Sequence, residues 1–163
     1  VNSEPNQGTS FKIYLPAVRE SVPEPGKTKD SGSSFDGTEK ILLVEDDALL
    51  RAAFQQSLAK AGYDVVAAAD AEEGTKYFLE NAGEFDLLMS DVILPTATGG
   101  ELFTELKKLN PTLKGLFVSG YTENSVSRLA RLDPEIKLVQ KPVSIRTLLS
   151  SVRQVLDERS VKV

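Results

Sequence analysis

The sequence predicts an α/β fold in which helices cover both faces of a parallel sheet. Two observations support this. From Lys40 onward, apolar runs too short for helices alternate with segments of helical periodicity, and five such units fit within about 120 residues. The apolar runs are continuous rather than alternating, which is typical of strands buried on both faces. The clearest of them covers residues 85–90 and is followed directly by Asp91 and then by Leu94 and Pro95.

The first strand–helix unit begins with a predicted strand over residues 41–44, followed by three acidic residues: Glu45, Asp46 and Asp47. Asp47 is a suitable N-cap for a helix, because its carboxylate can accept hydrogen bonds from the free amides of the first turn. Gly62 supplies a stop at the other end. The apolar positions with helical spacing predict the buried face of this helix: Leu50, Phe54, Leu58 and Ala61.

The second unit has a strand within residues 63–69 and a helix that Asp70 is expected to cap and that ends before Gly83. The run that ends at Asp91 is the third strand. Gly99 and Gly100 then lead into a third helix, predicted from residue 101 to residue 109.

The last two units repeat the pattern. A fourth strand over residues 115–118 ends at Ser119, and a weaker helical segment follows over residues 123–132. The fifth strand covers residues 136–140 and ends at Lys141. Ser144 is the expected N-cap of a final helix with these apolar positions: Leu148, Leu149, Val152, Val155 and Leu156.

Right-handed crossovers leave few strand orders for such a sheet, and the flavodoxin-like order 2-1-3-4-5 suits five strands. In this order the first and third strands are neighbours. Because ligands bind at the carboxyl ends of parallel strands, the acidic residues after both strands are expected to meet there. Ser119 and Lys141 end the fourth and fifth strands and face the same edge. The predicted site therefore contains Asp46, Asp47, Asp91, Ser119 and Lys141.

Composition limits the chemistry of this site. The 163 residues include neither His nor Cys, which excludes disulfides, zinc–sulfur sites and catalysis by a histidine or thiolate of this chain. The formal net charge of −5 argues against sequence-independent nucleic-acid binding. No apolar run approaches the roughly 20 residues of a membrane span. Carboxylates are left as the candidate reactive groups.

Three converging carboxylates repel one another unless a cation neutralises them or a pKa rises. Oxygen ligands without His or Cys favour Mg²⁺ or Mn²⁺, and Mg²⁺ is commonly held by carboxylates together with a phosphate. A carboxylate can itself accept a phosphoryl group. Lys141 offers a positive charge and Ser119 a hydroxyl for the phosphoryl oxygens. The alternative is that Lys141 only forms a salt bridge with one of the acids.

These residues resemble the receiver domain of two-component response regulators. The matching segments are residues 43–47, residues 91–95 with Gly99, residues 118–120 and residues 140–142. The resemblance covers residues 40–159. It implies that Asp91 accepts a phosphoryl group from a phosphohistidine, and that Asp46 and Asp91 hold Mg²⁺. It also implies that Asp47 binds the ion directly or through water and that the backbone carbonyl of Ile93 is a further ligand.

The same resemblance gives Lys141 and Ser119 the role of contacting the phosphoryl oxygens. It implies a protein that catalyses only its own phosphorylation and dephosphorylation. The partners would be the phosphohistidine domain of a histidine kinase, in cis or in trans, and a histidine phosphotransfer protein. No nucleic acid or direct membrane contact is expected, and the location would be cytoplasmic.

Residues 1–16 have a different resemblance. Their alternating segment from Thr9 to Leu15 predicts a strand, and with the preceding turn it resembles the closing hairpin of a histidine-kinase ATP-binding domain. Residues 17–39 are rich in Pro, Gly, Ser and charged residues, which indicates a flexible linker. Together the two resemblances imply a hybrid sensor histidine kinase with a receiver at its C-terminus.

Three other functions are compatible with parts of this sequence. An aspartate-nucleophile phosphohydrolase usually has a second Asp two residues after the nucleophile, where this chain has Ile93. A pseudo-receiver would bind a partner without phosphorylation, but all of the predicted site residues are present. A flavin or nucleotide module would need a Gly-rich loop after the first strand, where this chain has acidic residues.

Overall fold

The computed structural model describes residues 2–4, 8–14, 35–120 and 136–158, and all structural statements concern this part of the chain. The chain divides into two units, residues 1–33 and residues 34–163. In the first unit, strand β1 (Asn2–Glu4) pairs antiparallel with β2 (Gly8–Ser10). The strand predicted over residues 9–15 is therefore shorter than expected. Its residues 11–14 lie beyond the end of β1, form no ladder and are exposed.

The second unit contains five strands and four helices in its described residues. The strands are β3 (Lys40–Val44), β4 (Asp64–Ala68), β5 (Leu87–Asp91), β6 (Lys114–Ser119) and β7 (Lys137–Gln140). The helices are α1 (Ala48–Lys60), α2 (Ala71–Glu80), α3 (Gly99–Leu109) and α4 (Ile145–Asp157). The helix predicted over residues 123–132 lies outside the described residues. No helix in the described part of the chain has the length and apolar character needed to cross a membrane.

The five strands form one parallel sheet in the order β4-β3-β5-β6-β7. Counted from β3 as the first strand, this is the order 2-1-3-4-5, and the predicted flavodoxin-like fold is confirmed. The register places Asp91 opposite Val118, and Ser119 opposite Gln140. The carboxyl ends of the central strands are therefore level, and the residues that follow them share one edge.

The helix starts follow local sequence signals. Asp47, Asp70 and Ser144 cap α1, α2 and α4 with their side-chain oxygens, as predicted. Helix α3 begins at Gly99, two residues earlier than predicted. The reason is a capping box in which Thr98 and Glu101 each accept a hydrogen bond from the other's backbone amide.

Alternate residues of each strand face opposite sides of the sheet, which gives two apolar core clusters. On one face, strand residues such as Leu42 and Leu88 are buried beneath α2 and α3. On the other, residues such as Leu43 and Met89 are buried beneath α1 and α4. The predicted apolar face of α1 is confirmed, since Phe54, Leu58 and Ala61 are buried and Leu50 packs against the second cluster.

An ion pair ties the start of the second unit to its last helix. The Arg153 guanidinium donates from Nη2 to Oε1 of Glu39 at 2.6 Å and from Nη1 to Oε2 at 3.1 Å. These hydrogen bonds hold the pKa of Glu39 below its usual value. A carboxylate with a lowered pKa in the folded state stabilises the protein above its unfolded pKa, and this contribution disappears as the pH falls through the folded pKa.

We expect Glu39→Gln to lower the free energy of unfolding at neutral pH, because the charge on the acceptor is lost. The difference between wild type and variant should shrink as the pH falls below the ordinary pKa of a glutamate and through the lowered pKa of folded Glu39, because the wild-type carboxylate then binds a proton. Urea unfolding at several pH values measures both effects. A difference that did not change with pH would contradict the assignment.

Candidate active site

Three carboxylates converge at the carboxyl edge of the sheet. Glu45 and Asp46 follow β3, and Asp91 ends the neighbouring strand β5. One carboxylate oxygen from each of the three lies within 4.8 Å of the others. The structure therefore brings together Asp46 and Asp91, as predicted from the strand order, and adds Glu45 to them.

Lys141 contacts the carboxylates from the end of β7, the edge strand of the sheet. Its ammonium donates to Oδ2 of Asp91 at 2.7 Å and to Oε2 of Glu45 at 3.0 Å. Its backbone amide donates to the carbonyl oxygen of Ser119 at 2.7 Å, and the Lys141–Pro142 peptide bond is cis. The lysine thus bridges the carboxylates that follow or end β3 and β5 and does not pair with a single acid.

The pKa directions reflect this arrangement. Burial disfavours the Lys141 ammonium, but its hydrogen bonds to Asp91 and Glu45 outweigh burial and raise the pKa of Lys141. Burial also raises the pKa of Glu45, with smaller contributions from the like charges of Asp91 and Asp46, although Lys141 opposes the shift. Both directions are compatible, because one ammonium is shared among several acids.

Glu45 was not among the site residues predicted from the sequence. Only 2% of the surface of Glu45 is exposed. Carboxylates are almost never buried to this extent without a partner. The sequence did contain a signal, because Glu45 directly follows the four apolar residues of a buried strand. A charged residue in that position needs a partner, and here the partner is Lys141.

Asp47 is not part of the carboxylate cluster. Its Oδ1 accepts hydrogen bonds from the amides of Leu49 at 2.8 Å and Leu50 at 3.0 Å, and these bonds lower its pKa. The carboxylate is thus occupied at the N-terminus of α1, as the capping prediction required. Its role as a magnesium ligand stays a prediction, and in the cluster the structure has Glu45 instead.

The remaining predicted residues flank Asp91. Ser119 is buried at the end of β6, one residue beyond the partner of Asp91 in the ladder. The backbone amide of Ile93 donates to Oδ1 of Asp91 at 3.1 Å, while its side chain is exposed. Each carboxylate oxygen of Asp91 therefore has a donor, Ile93 for Oδ1 and Lys141 for Oδ2.

Gly99 packs directly against the backbone of Asp91. A Cβ atom at position 99 would lie 2.3 Å from the Asp91 carbonyl oxygen and 2.8 Å from Oγ of Ser90. We expect Gly99→Ala to lower the free energy of unfolding by about 1–3 kcal/mol, because backbone must move to admit the methyl group. The matched control is Gly120→Ala, where a Cβ would meet nothing within 4 Å. Urea unfolding that ranks the two variants equally would contradict this steric account.

Comparison with known proteins identifies the domain. Residues 41–153 match the family described as response regulator receiver domain. The sensor kinase CckA of Brucella abortus is 34% identical over 165 residues, covering 97% of this chain and 18% of that kinase. The response regulator receiver protein CpdR of the same organism is 28% identical, covering 72% of this chain and 96% of CpdR. The chain therefore spans nearly all of one relative and less than a fifth of the other.

Solved structures agree with the sequence comparison. The receiver domain from the hybrid histidine kinase CckA is 36% identical with a TM-score of 0.61, covering 72% of this chain and 99% of that one. A CheY-like receiver domain from Methanospirillum hungatei is 34% identical with a TM-score of 0.66, covering 74% and 95%. The fold, the matched residues and these relatives lead to one conclusion: this chain belongs to the receiver domains of response regulators, the family that acts in two-component signalling.

Proposed function

We propose that the receiver accepts a phosphoryl group from a phosphohistidine onto Asp91. The observation that carries the proposal is the position of the Asp91 carboxylate, which ends a central strand, lies among other carboxylates and contacts the Lys141 ammonium at 2.7 Å. In the transfer, an Asp91 oxygen forms a bond to phosphorus while the bond from phosphorus to the histidine nitrogen breaks. The product is an aspartyl phosphate.

Mg²⁺ fits the donor set at this edge. The clustered groups are all carboxylates, and among the described residues of the cluster one ammonium faces three acids, so a further cation would relieve the repulsion. Asp46, Asp91 and Glu45 would hold the ion, and the backbone carbonyl of Ile93 is a further predicted ligand. The contact that the resemblance gives to Asp47 is left out of the proposal, because the Asp47 carboxylate caps α1. Bound Mg²⁺ would neutralise charge on the phosphoryl oxygens.

The side chains of the site have separate roles in the proposed transfer. Asp91 is the acceptor, and the Ile93 amide orients its carboxylate through Oδ1. Lys141, already placed at Oδ2, supplies positive charge where the phosphoryl oxygens arrive. Ser119 contributes a hydroxyl from the end of the adjacent strand. The rigid ends of three neighbouring strands thus position the reacting groups before the donor binds.

The direct test is intact mass spectrometry after incubation with Mg²⁺ and acetyl phosphate. A gain of one phosphoryl group that is lost when a chelator is added would support the proposal. No gain with acetyl phosphate or with a phosphohistidine domain as donor would overturn it and would favour a binding-only pseudo-receiver. Steady release of inorganic phosphate from unrelated phosphate esters would instead favour the phosphohydrolase alternative.

The origin of the chain within a hybrid sensor histidine kinase is part of the proposal. The CckA relative aligns with 97% of the chain, whereas the single receiver CpdR aligns with 72%, so the alignment with the kinase extends beyond the receiver itself. Residues 1–16 would then close a histidine-kinase ATP-binding domain, residues 17–39 would be a flexible linker, and residues 40–159 would form a cytoplasmic receiver.

The proposed partner is a phosphohistidine domain, in cis within the same kinase or in trans, and a histidine phosphotransfer protein is the candidate next partner. Leu49 at the start of α1, Ile93 after β5 and Ile145 at the start of α4 are exposed apolar residues near the carboxyl ends of the strands. They follow strands of the same sheet as Asp91, and this position suits an apolar contact with a donor domain. Neither nucleic acid nor a membrane is proposed as a direct partner.

Removal of one carboxylate should separate metal binding from stability. We expect Asp46→Asn to raise the free energy of unfolding without Mg²⁺, because one of three repelling charges is removed. The same change should weaken Mg²⁺ binding by at least about tenfold, since a direct ligand contributes no less than its supporting shell. Urea unfolding with and without Mg²⁺ measures both effects. A variant that is destabilised without Mg²⁺, yet is still stabilised by the ion as strongly as wild type, would refute the assignment of Asp46.

A further inference from the structure

We infer that Arg51 is a positioning residue that fixes the turn between β3 and α1 and so preorganises Glu45 and Asp46 for Mg²⁺. This inference rests on the proposed function. Arg51 lies in the N-terminal part of α1, and its side chain extends beyond the N-terminus of the helix to the preceding turn. Its Nη1 donates to the carbonyl oxygen of Glu45 at 2.6 Å and to that of Asp46 at 3.1 Å.

The two accepting carbonyls belong to the two residues whose carboxylates enter the cluster. A carbonyl that is held by a donor fixes the plane of its peptide group, and therefore the direction in which the side chains on either side of that plane leave the backbone. Since one guanidinium nitrogen holds two successive carbonyls, it restricts both residues at once. On the other side of the turn, the Glu45 amide donates to the carbonyl oxygen of Ala68 in β4 at 3.2 Å. The turn is thus held by hydrogen bonds to β4 of the sheet and to Arg51 of α1.

The hydrogen bonds of Arg51 go to the turn rather than to the acids near it. The charges of Asp47 and Glu73 lie close enough to attract the guanidinium, but its Nη1 donates to the backbone carbonyls of Glu45 and Asp46. Asp47, not Arg51, caps the free amides at the start of α1. A charged side chain that donates to the backbone of a functional turn holds the residues of that turn in place. Preorganised backbone is also how supporting residues raise the affinity of a metal site.

The test compares Arg51→Met, Arg51→Lys and wild type. Met keeps an unbranched, flexible side chain and removes the donors, while Lys keeps a positive charge with a different donor geometry. Lys60→Met is the matched control, because Lys60 is an exposed cation at the other end of α1. Two quantities are measured: the Mg²⁺ dissociation constant by calorimetry, and the hydrogen exchange of the backbone amides of residues 45–47 by NMR in protein without Mg²⁺.

We expect Arg51→Met to raise the Mg²⁺ dissociation constant about tenfold, the lower limit for a supporting residue of a metal site. The amides of residues 45–47 should exchange faster without the ion, because the turn is no longer held. At saturating Mg²⁺ the maximal phosphorylation rate should return close to that of wild type. Arg51→Lys should fall between wild type and Arg51→Met, and Lys60→Met should match wild type in every measurement.

Wild-type Mg²⁺ affinity together with wild-type exchange in Arg51→Met would overturn the inference. If Arg51→Met does not fold, the decision passes to Arg51→Lys, where unchanged affinity and exchange would overturn it. Failure of the proposed function is distinguishable from this outcome. A wild-type protein that takes no phosphoryl group refutes the proposed function. The role of Arg51 in the turn is decided separately, by the amide hydrogen exchange of Arg51→Met without Mg²⁺. Faster exchange than in wild type supports that role, and unchanged exchange refutes it.

Discussion

Asp91→Asn is expected to abolish the gain of a phosphoryl group from acetyl phosphate. An amide oxygen is too weak a nucleophile to replace a carboxylate, so the loss should be complete within detection. The change is nearly isosteric, and the Asn oxygen can still accept a hydrogen bond from Lys141 or from the Ile93 amide. The loss would therefore report on the reacting atom rather than on a damaged fold. Intact mass spectrometry measures the phosphoryl group, and urea unfolding checks that the variant is folded.

Two further variants decide which neighbouring acid supports Asp91. Glu45→Gln removes a charge from the cluster and should weaken Mg²⁺ binding and slow phosphorylation. Asp47→Asn should leave both close to wild type, because Asn is as good an N-cap as Asp and Asp47 lies outside the cluster. The reverse ranking would show that Asp47 is the ligand that the sequence resemblance implied.

The acceptor assignment has its own contradicting outcome. If the Asp91→Asn variant gained a phosphoryl group that peptide mass mapping placed on another residue, Asp91 would be refuted as the acceptor.

Lys141→Met is expected to slow phosphorylation by about 10²–10³-fold, the effect of removing one preorganised donor from a developing charge. The ammonium at 2.7 Å from Asp91 is already in place before a donor binds. Its removal leaves Glu45 buried without its cation, and a buried carboxylate without a partner is strongly unfavourable. We therefore also expect the free energy of unfolding to fall and Glu45 to bind a proton more readily.

The matched control is Lys141→Arg, which keeps the charge but replaces a compact ammonium by a planar guanidinium. It should recover most of the lost stability and little of the rate. The time course of intact mass at saturating Mg²⁺ gives the rate, and urea unfolding gives the stability. Lys141→Met with a wild-type rate would refute the role of Lys141 in the transfer, and full recovery of the rate by Arg would show that charge alone suffices.

Much of the fold could be predicted from the sequence because it depends on local signals. Continuous apolar runs separate the buried strands from helices of period 3.6, and Asp47, Asp70 and Ser144 each begin a helix as their capping chemistry predicts. Five strand–helix units with right-handed crossovers leave few sheet orders, and the observed order is among them. The approach of Asp46 to Asp91 follows from that order.

The details of the site required the tertiary structure. Three consecutive acids follow β3, and local signals, the strand end before Glu45 and the helix cap at Asp47, do not by themselves show which carboxylates meet Asp91. In the fold, Glu45 directly follows β3 and is still buried, and α1 begins early enough to use Asp47 as its cap. The bridge from Lys141 to Glu45 and Asp91 joins residues that are 96 and 50 positions apart. Such contacts depend on register and side-chain direction, which the sequence determines only through the packing of the whole domain.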